Sequence, residues 1–191
     1  GPCSGIHYFR GNDRSKNVAT LVNGEGDDTM EIWNLVFMQF DRDSSGKLTP
    51  LPAPSVDTGM GLERIASVLQ KASTNYDIDL FQPIMKTIAD RSGHRYGGRM
   101  DDELDTAVRV LCDHSRASAF LISDGVIPSN EGRGYVLRRI IRRAIRFGRK
   151  LPNPVLLSQL VDSVITAMGD AYPEIRARHE AITKLLGAEE E

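Results

Sequence analysis

The chain has 191 residues, with 40% apolar and 26% charged positions and a formal net charge of −2. That is enough chain for one large or two small domains with a real core. No apolar run approaches the roughly 20 residues of a membrane helix, and the opening GPCSGIHYF does not read as a secretory signal. Cys3 and Cys112 are the only cysteines, which excludes a disulfide framework and a four-cysteine zinc site and suits a reducing compartment. The four histidines show no metal-ligand spacing.

In chain order, Glu31–Phe40 (EIWNLVFMQF) is almost continuously apolar and reads as a buried strand. Alternation would put Ile32, Asn34, Val36, Met38 and Phe40 on one side. Asp41–Gly46 reads as a turn. A short second strand follows, ending before Pro50, Pro52 and Pro54, which hold the chain extended. The pair is an antiparallel hairpin. Next comes SVDTGMGLER, residues 55–64. Leu62, Ile65, Ala66 and Leu69 downstream keep helical spacing, so Gly59 and Gly61 sit at a strand-to-helix turn.

A glycine pair there lets backbone approach a ligand, and a helix start behind it favours an anion. Asp57 at the strand end can hold an ammonium group, and Arg64 can grip phosphate or stack on a base. The competing reading is a tight turn with a solvated arginine. Asn34, an amide within an apolar strand, needs partners. These are neighbouring backbone groups or a small ligand in a tight pocket beside Val36.

From Asp77 onward the chain reads as helical, with a boundary near Gln70–Asp77. Leu104, Val108, Leu111, Cys112, Ala119 and Ile122 form one stripe, stopped at Asp124-Gly125. Tyr135–Arg149 is a second helix, entered from the polar loop Ser129–Gly134 with Ser129 or Asn130 as N-cap. Pro152 and Pro154 end it. Leu157 to Met168 gives a third stripe, and a weaker helix around Ile175–Leu186 is expected to fray. The Asp113-His114-Ser115-Arg116 cluster reads as a polar tie between helices.

No acidic residue falls between Gly132 and Val161, where eight basic residues gather. They leave sixteen basic against 26 acidic residues elsewhere. Arg138, Arg139, Arg142, Arg143, Arg146 and Arg149 alternate with Ile140, Ile141, Ala144 and Ile145. One face of this helix can pack while the other meets phosphate. The bland alternative is a solvated basic face paired with acids such as Asp101–Glu103. No nucleophile–base constellation stands out.

EIWNLVFMQF, PLPAPSVDTGMGLERI, NYDIDLF and SDGVIPSNEGRGYVLRRIIRRAIRFG, in this order and spacing, resemble alanyl-tRNA synthetases over Gly1 to Lys150. SVDTGMGLER resembles motif three of the class II enzymes. The resemblance implies an α+β fold: residues 1–75 as the C-terminal portion of a class II antiparallel sheet with flanking helices, and 76–191 as a helical bundle that binds the tRNA acceptor stem. It implies an alanine–tRNA ligase that uses ATP with Mg2+, with no zinc and no membrane in this portion, in the cytoplasm or an organelle. Asp57 and Arg64 would be the catalytic pair. Asp57 would take the ammonium of alanine, Asn34 its carboxylate, Val36 and Gly59 the methyl pocket, and Arg64 the ATP, with Gly59 and Gly61 admitting the substrate. Asn130 would face a G·U wobble pair near the top of the acceptor stem. Arg138, Arg142 and Arg143 would touch phosphates, with Arg133 and Arg146 in the same surface.

Gly5 and Phe9 stand where the family has acidic residues. Motifs one and two would lie before Gly1, so the implied partners include an N-terminal half of the catalytic domain. The alternative is an inactive, truncated relative serving as an RNA-binding or scaffold module.

Overall fold

The apolar run around Trp33 forms the middle strand of a three-stranded antiparallel sheet. Strands β1 (Cys3–Phe9), β2 (Thr29–Arg42) and β3 (Leu48–Met60) lie in the order β1-β2-β3. The computed structural model describes residues 2–24, 26 and 28–191, so Gly1, where the family resemblance begins, lies outside them. The chain divides into two units, Gly1–Asn75 and Tyr76–Glu191.

In the first unit, Asp43 shapes the β2–β3 turn. Its Oδ1 accepts from the backbone N–H of Ser45 and Lys47 at 2.9 and 3.0 Å and from the Ser45 hydroxyl at 2.6 Å. The hydroxyl, ahead of the backbone donors, holds the carboxyl below its usual range. Contrary to the sequence expectation, β3 continues through its prolines. The register records their cost: Met38 pairs with Ser55, but Phe40 pairs with Pro50, so residues 51–54 bulge opposite Gln39. Pro52 and Pro54 have no N–H to offer the ladder, and an edge strand tolerates that.

Helix α1 (Leu62–Gln70) follows β3 directly and ends with Lys71 in the left-handed region, φ 55°. Its apolar stripe does not become core. Leu62 and Leu69 are exposed, and the one buried residue of the helix is Ser67, whose hydroxyl lies 2.8 Å from the Arg64 carbonyl.

The second unit comprises α2 (Gln82–Ser92), α3 (Glu103–Ser123), α4 (Gly132–Gly148), α5 (Val161–Met168), α6 (Pro173–Ala177) and α7 (His179–Glu190). Helix α3 is central and packs against the other five. Its N-cap is Asp102, which accepts from the Asp105 N–H at 2.9 Å. It stops as expected, the Gly125 N–H bonding the Ile122 carbonyl. Ile84, Ile88, Leu111, Leu137, Ile141 and Leu160 lose all solvent contact here. The final segment is two helices rather than one fraying helix, because Arg178 leaves the helical path between them. Ile175, Ile182 and Leu186 are completely buried.

Helix α4 begins three residues earlier than its periodicity suggests, and its N-cap is Glu131 rather than Ser129 or Asn130. The loop before it lies against its first turn. A Cβ on Gly134 would stand 2.3 Å from both the Ile127 carbonyl oxygen and Ser129 Oγ, so only glycine admits this approach.

Candidate functional site

In the sheet, the register brings the sequence candidates together. Asn34 on β2 faces Gly59 on β3 and Gly5 on β1; Val36 faces Asp57 on β3 and Cys3 on β1. Residues directly opposite share a face. Two parallel rows result, Gly5–Asn34–Gly59 and Cys3–Val36–Asp57. The Asn34 amide therefore rises between two positions without side chains. A Cβ on Gly59 would meet nothing within 4 Å, so the space above it is open. Asn34 and Val36 are half-buried, while Asp57 and Gly59 are exposed. Trp33 and Thr58 join the strands through an indole N–H donated to the hydroxyl.

The slot at Gly5 is narrower. A Cβ there would stand 3.0 Å from His7 Nε2 and 3.3 Å from Glu31 Oε2, and those two side chains pair at 3.6 Å. His7 and Glu31 thus occupy the ground beside Gly5, and a bulge in the β1–β2 register after Ile6 aligns them. Sequence reading passed over both.

Arg64, one turn into α1, donates from Nη1 to the Glu31 carbonyl at 2.6 Å, and the Gly61 N–H bonds the Ile32 carbonyl. The helix start is thereby fixed to β2. Arg64 also borders a hollow of about 300 Å³ with Arg10, Thr29, Met30, Glu31 and Asn75.

The arginine helix resolves into tied and free residues. Arg138 lies against Glu189 of α7, Nη2 to Oε1 at 2.6 Å, and donates from Nη1 to Asn130 Oδ1 at 2.6 Å. Arg143 Nη1 lies 2.8 Å from His114 Nε2, and His114 Nδ1 lies 2.7 Å from Asp113. Arginine only donates, so Nε2 accepts and Nδ1–H is given to Asp113. The bond from His114 is the main reason the Asp113 carboxyl sits below its usual range. The Asp113–His114 cluster is thus a polar tie from α3 to α4. Arg133, Arg142, Arg146 and Arg149 are exposed and make no ion pair among the described residues. Arg142, Arg146 and Arg149 border a hollow of about 420 Å³ rimmed by Glu189, Glu190 and Glu191. Phe147 is flanked by Arg143, Arg146 and Lys150, with the cations 5.1, 5.5 and 5.1 Å from its ring centre. Lys150 also pairs with Glu103, one of the acids expected as a neighbour.

A second polar cluster went unseen in the sequence. Asp105 is fully buried and accepts from His94 Nε2 at 3.0 Å, the Gly97 N–H at 3.0 Å and the Arg99 N–H at 2.8 Å. Burial pushes its carboxyl up, but the two N–H groups and the His94 ring outweigh that and hold it below the usual range. His94, Asp102 and Asp105 could in principle gather round a cation. Their geometry argues otherwise: Asp105 is saturated by N–H donors, and Asp102 serves the Asp105 N–H and the Arg99 guanidinium. The cluster is a loop clamp.

A family model described as tRNA synthetases class II (A) matches residues 1–191. The chain belongs to this synthetase family. It is 55% identical over 191 residues to the alanine–tRNA ligase of Acidithiobacillus ferridurans. It is 50% identical over 198 residues to that of Anaeromyxobacter sp. (strain Fw109-5), and 50% identical over 192 residues to that of Chlorobium phaeovibrioides. Each comparison covers the whole of this chain and 22% of the relative. The synthetase segment therefore spans about a fifth of these relatives' length. No helix among its described residues is long and apolar enough to cross a membrane.

Proposed function

We propose that this chain supplies the alanine-facing strands and the acceptor-stem helices of an alanine–tRNA ligase. The observation that carries the reading is the pair of rows Gly5–Asn34–Gly59 and Cys3–Val36–Asp57 on one sheet face. Diagonal neighbours on such a face stand about 7–8 Å apart. Side chains reaching inward from Asp57 and Asn34 can thus hold the ammonium and carboxylate ends of a small amino acid. Val36 and the bare Gly59 leave room there for the methyl group of alanine. Arg64, fixed through Glu31, presents its remaining guanidinium donors to ATP, which enters with Mg2+.

The reaction has two steps. The alanine carboxylate attacks the α-phosphorus of ATP and pyrophosphate leaves. A hydroxyl of the tRNA 3′-terminal ribose then attacks the alanyl carbonyl and AMP leaves. Neither step needs a covalent bond to the protein, in keeping with the lack of a nucleophile–base pair in the sequence reading. Positioning and neutralisation of charge supply the rate. The exposed Arg133, Arg142 and Arg146 receive acceptor-stem phosphates, and Asn130 meets the wobble pair. Domain roles follow the division at Asn75: sheet face for alanine, helices for RNA. The compartment is the cytoplasm or an organelle.

The test is a chimaera in which these 191 residues replace the matching segment of the Acidithiobacillus ferridurans enzyme. Alanine-dependent ATP–pyrophosphate exchange is expected. Asp57→Ala should lower kcat/KM for alanine by about 10- to 150-fold, the loss of one charge-assisted hydrogen bond. A chimaera that folds and binds RNA yet shows no exchange overturns the catalytic reading. It would leave an RNA-binding module, which the self-contained core of the helical unit favours as the second reading.

A further inference from the structure

Arg138 is expected from its place in the arginine run to meet phosphate. The structure gives it other work. Its Nε and Nη2 edge lies on Glu189 near the end of α7, with Nε 3.1 and 3.0 Å from the two carboxylate oxygens and Nη2 2.6 Å from Oε1. The side chains of Arg138 and Glu189 are only 25% and 14% exposed. The neighbouring Glu190 fastens the same helix end by accepting from the Ser158 N–H at 3.1 Å and from the Ser158 hydroxyl. The remaining guanidinium corner, Nη1, reaches across to Oδ1 of Asn130 at 2.6 Å.

Arginine carries donors and no acceptor, so the Asn130 atom it meets must be the oxygen. That fixes the orientation of the amide and turns its NH2 group outward. Asn130 is exposed, in the loop before α4, where its side chain would otherwise turn freely. We propose that Glu189 and Arg138 are positioning residues for base recognition through Asn130. The α7 carboxylate holds the guanidinium, and the guanidinium holds the amide with its donor face toward RNA. This inference rests on the reading of Asn130 as an RNA-reading residue. It removes Arg138 from the phosphate contacts and gives the acidic end of α7 a part in specificity.

The experiment uses the 191-residue chain and two acceptor-stem hairpin RNAs that differ only in carrying G·U or G·C near the top of the stem. Affinity is measured over a range of salt. The wild type is expected to prefer one hairpin, and Asn130→Ala to lose the preference. Glu189→Gln and Arg138→Gln should each reduce it about fivefold or more. The slope of log K against log salt should stay nearly constant, because neither Arg138 nor Glu189 contacts a phosphate in this arrangement. Glu189→Gln added to Asn130→Ala should change nothing further.

A phosphate-binding Arg138 gives the opposite pattern. Freeing it with Glu189→Gln would strengthen both hairpins equally and steepen the salt slope, and that result overturns the proposal. So does an unchanged preference in Glu189→Gln. A wild type with no preference overturns the reading of Asn130 and this inference with it. The side-chain amide signals of Asn130 in the RNA-free chain give a check that needs no RNA. Their 15N relaxation should report a rigid side chain in the wild type and a mobile one in Glu189→Gln, with thermal melts confirming that the variant is folded. An Asn130 side chain already mobile in the wild type would overturn the positioning role.

Discussion

The two units of this chain treat apolar surface in opposite ways. Every buried apolar side chain among the described residues belongs to the helical unit, from Ile78 to Leu186. In the sheet unit the buried residue is Ser67, while Phe37, Phe40, Val56 and Leu69 are 39%, 51%, 50% and 75% exposed. The sequence of β2 is as apolar as any helix stripe, so the difference is not one of composition. It is one of layers: α3 is surrounded by partners that close over it, whereas a three-stranded sheet with one short helix has faces left to cover. The lesson is that an apolar pattern states a demand for burial and does not say whether the same chain meets it.

Mutations should separate the units sharply. Leu111→Ala, at a site with no solvent contact, is expected to cost about 2–5 kcal/mol in urea unfolding. Phe40→Ala should cost about 0.5 kcal/mol or less. Equal costs would break the comparison and show that the sheet face is covered in solution. Sedimentation would then reveal whether a second copy covers it.

Asp105→Asn should cost about 1–3 kcal/mol at neutral pH, because buried N–H donors of Gly97 and Arg99 lose a charged acceptor. The sign with pH follows from the lowered carboxyl. A group whose folded pKa lies below its unfolded value, about 3.9, stabilises above that value and loses its contribution as pH falls through the folded one. Acid melts of the variant should therefore decline less steeply than those of the wild type below about pH 4. Asp102 and Asp113, also lowered, keep some slope. An identical acid profile would mean that Asp105 is not ionised in the fold. The smallest effect is expected at the exposed Lys86–Asp90 pair, where Lys86→Ala should change stability by no more than about 0.5 kcal/mol.

Much of the candidate site is legible in the sequence because its signals are local. Asn34 in an apolar run, Asp57 before two glycines and the uninterrupted arginines are all visible as patterns. Glu31 and His7 were not, since neither stands out until a bulge brings them together. Glu189 stands fifty-one residues from the arginine it holds, a separation that no local pattern reveals. Asp105 looked like one more helical acid until its loop folded over it.

The sequence by itself determined element types, the basic and apolar sides of α4 and membership in a synthetase family, because period, charge and motif spacing are properties of neighbours along the chain. Tertiary structure decided the rest. It set Asn34 between Gly5 and Gly59, left Leu62 and Leu69 of the α1 stripe in solvent, and divided the arginines into tied and free. Each of those outcomes depends on what a distant strand or helix brings alongside: cross-strand register sets which side chains share a face, and packing sets which charges find a partner before a ligand can.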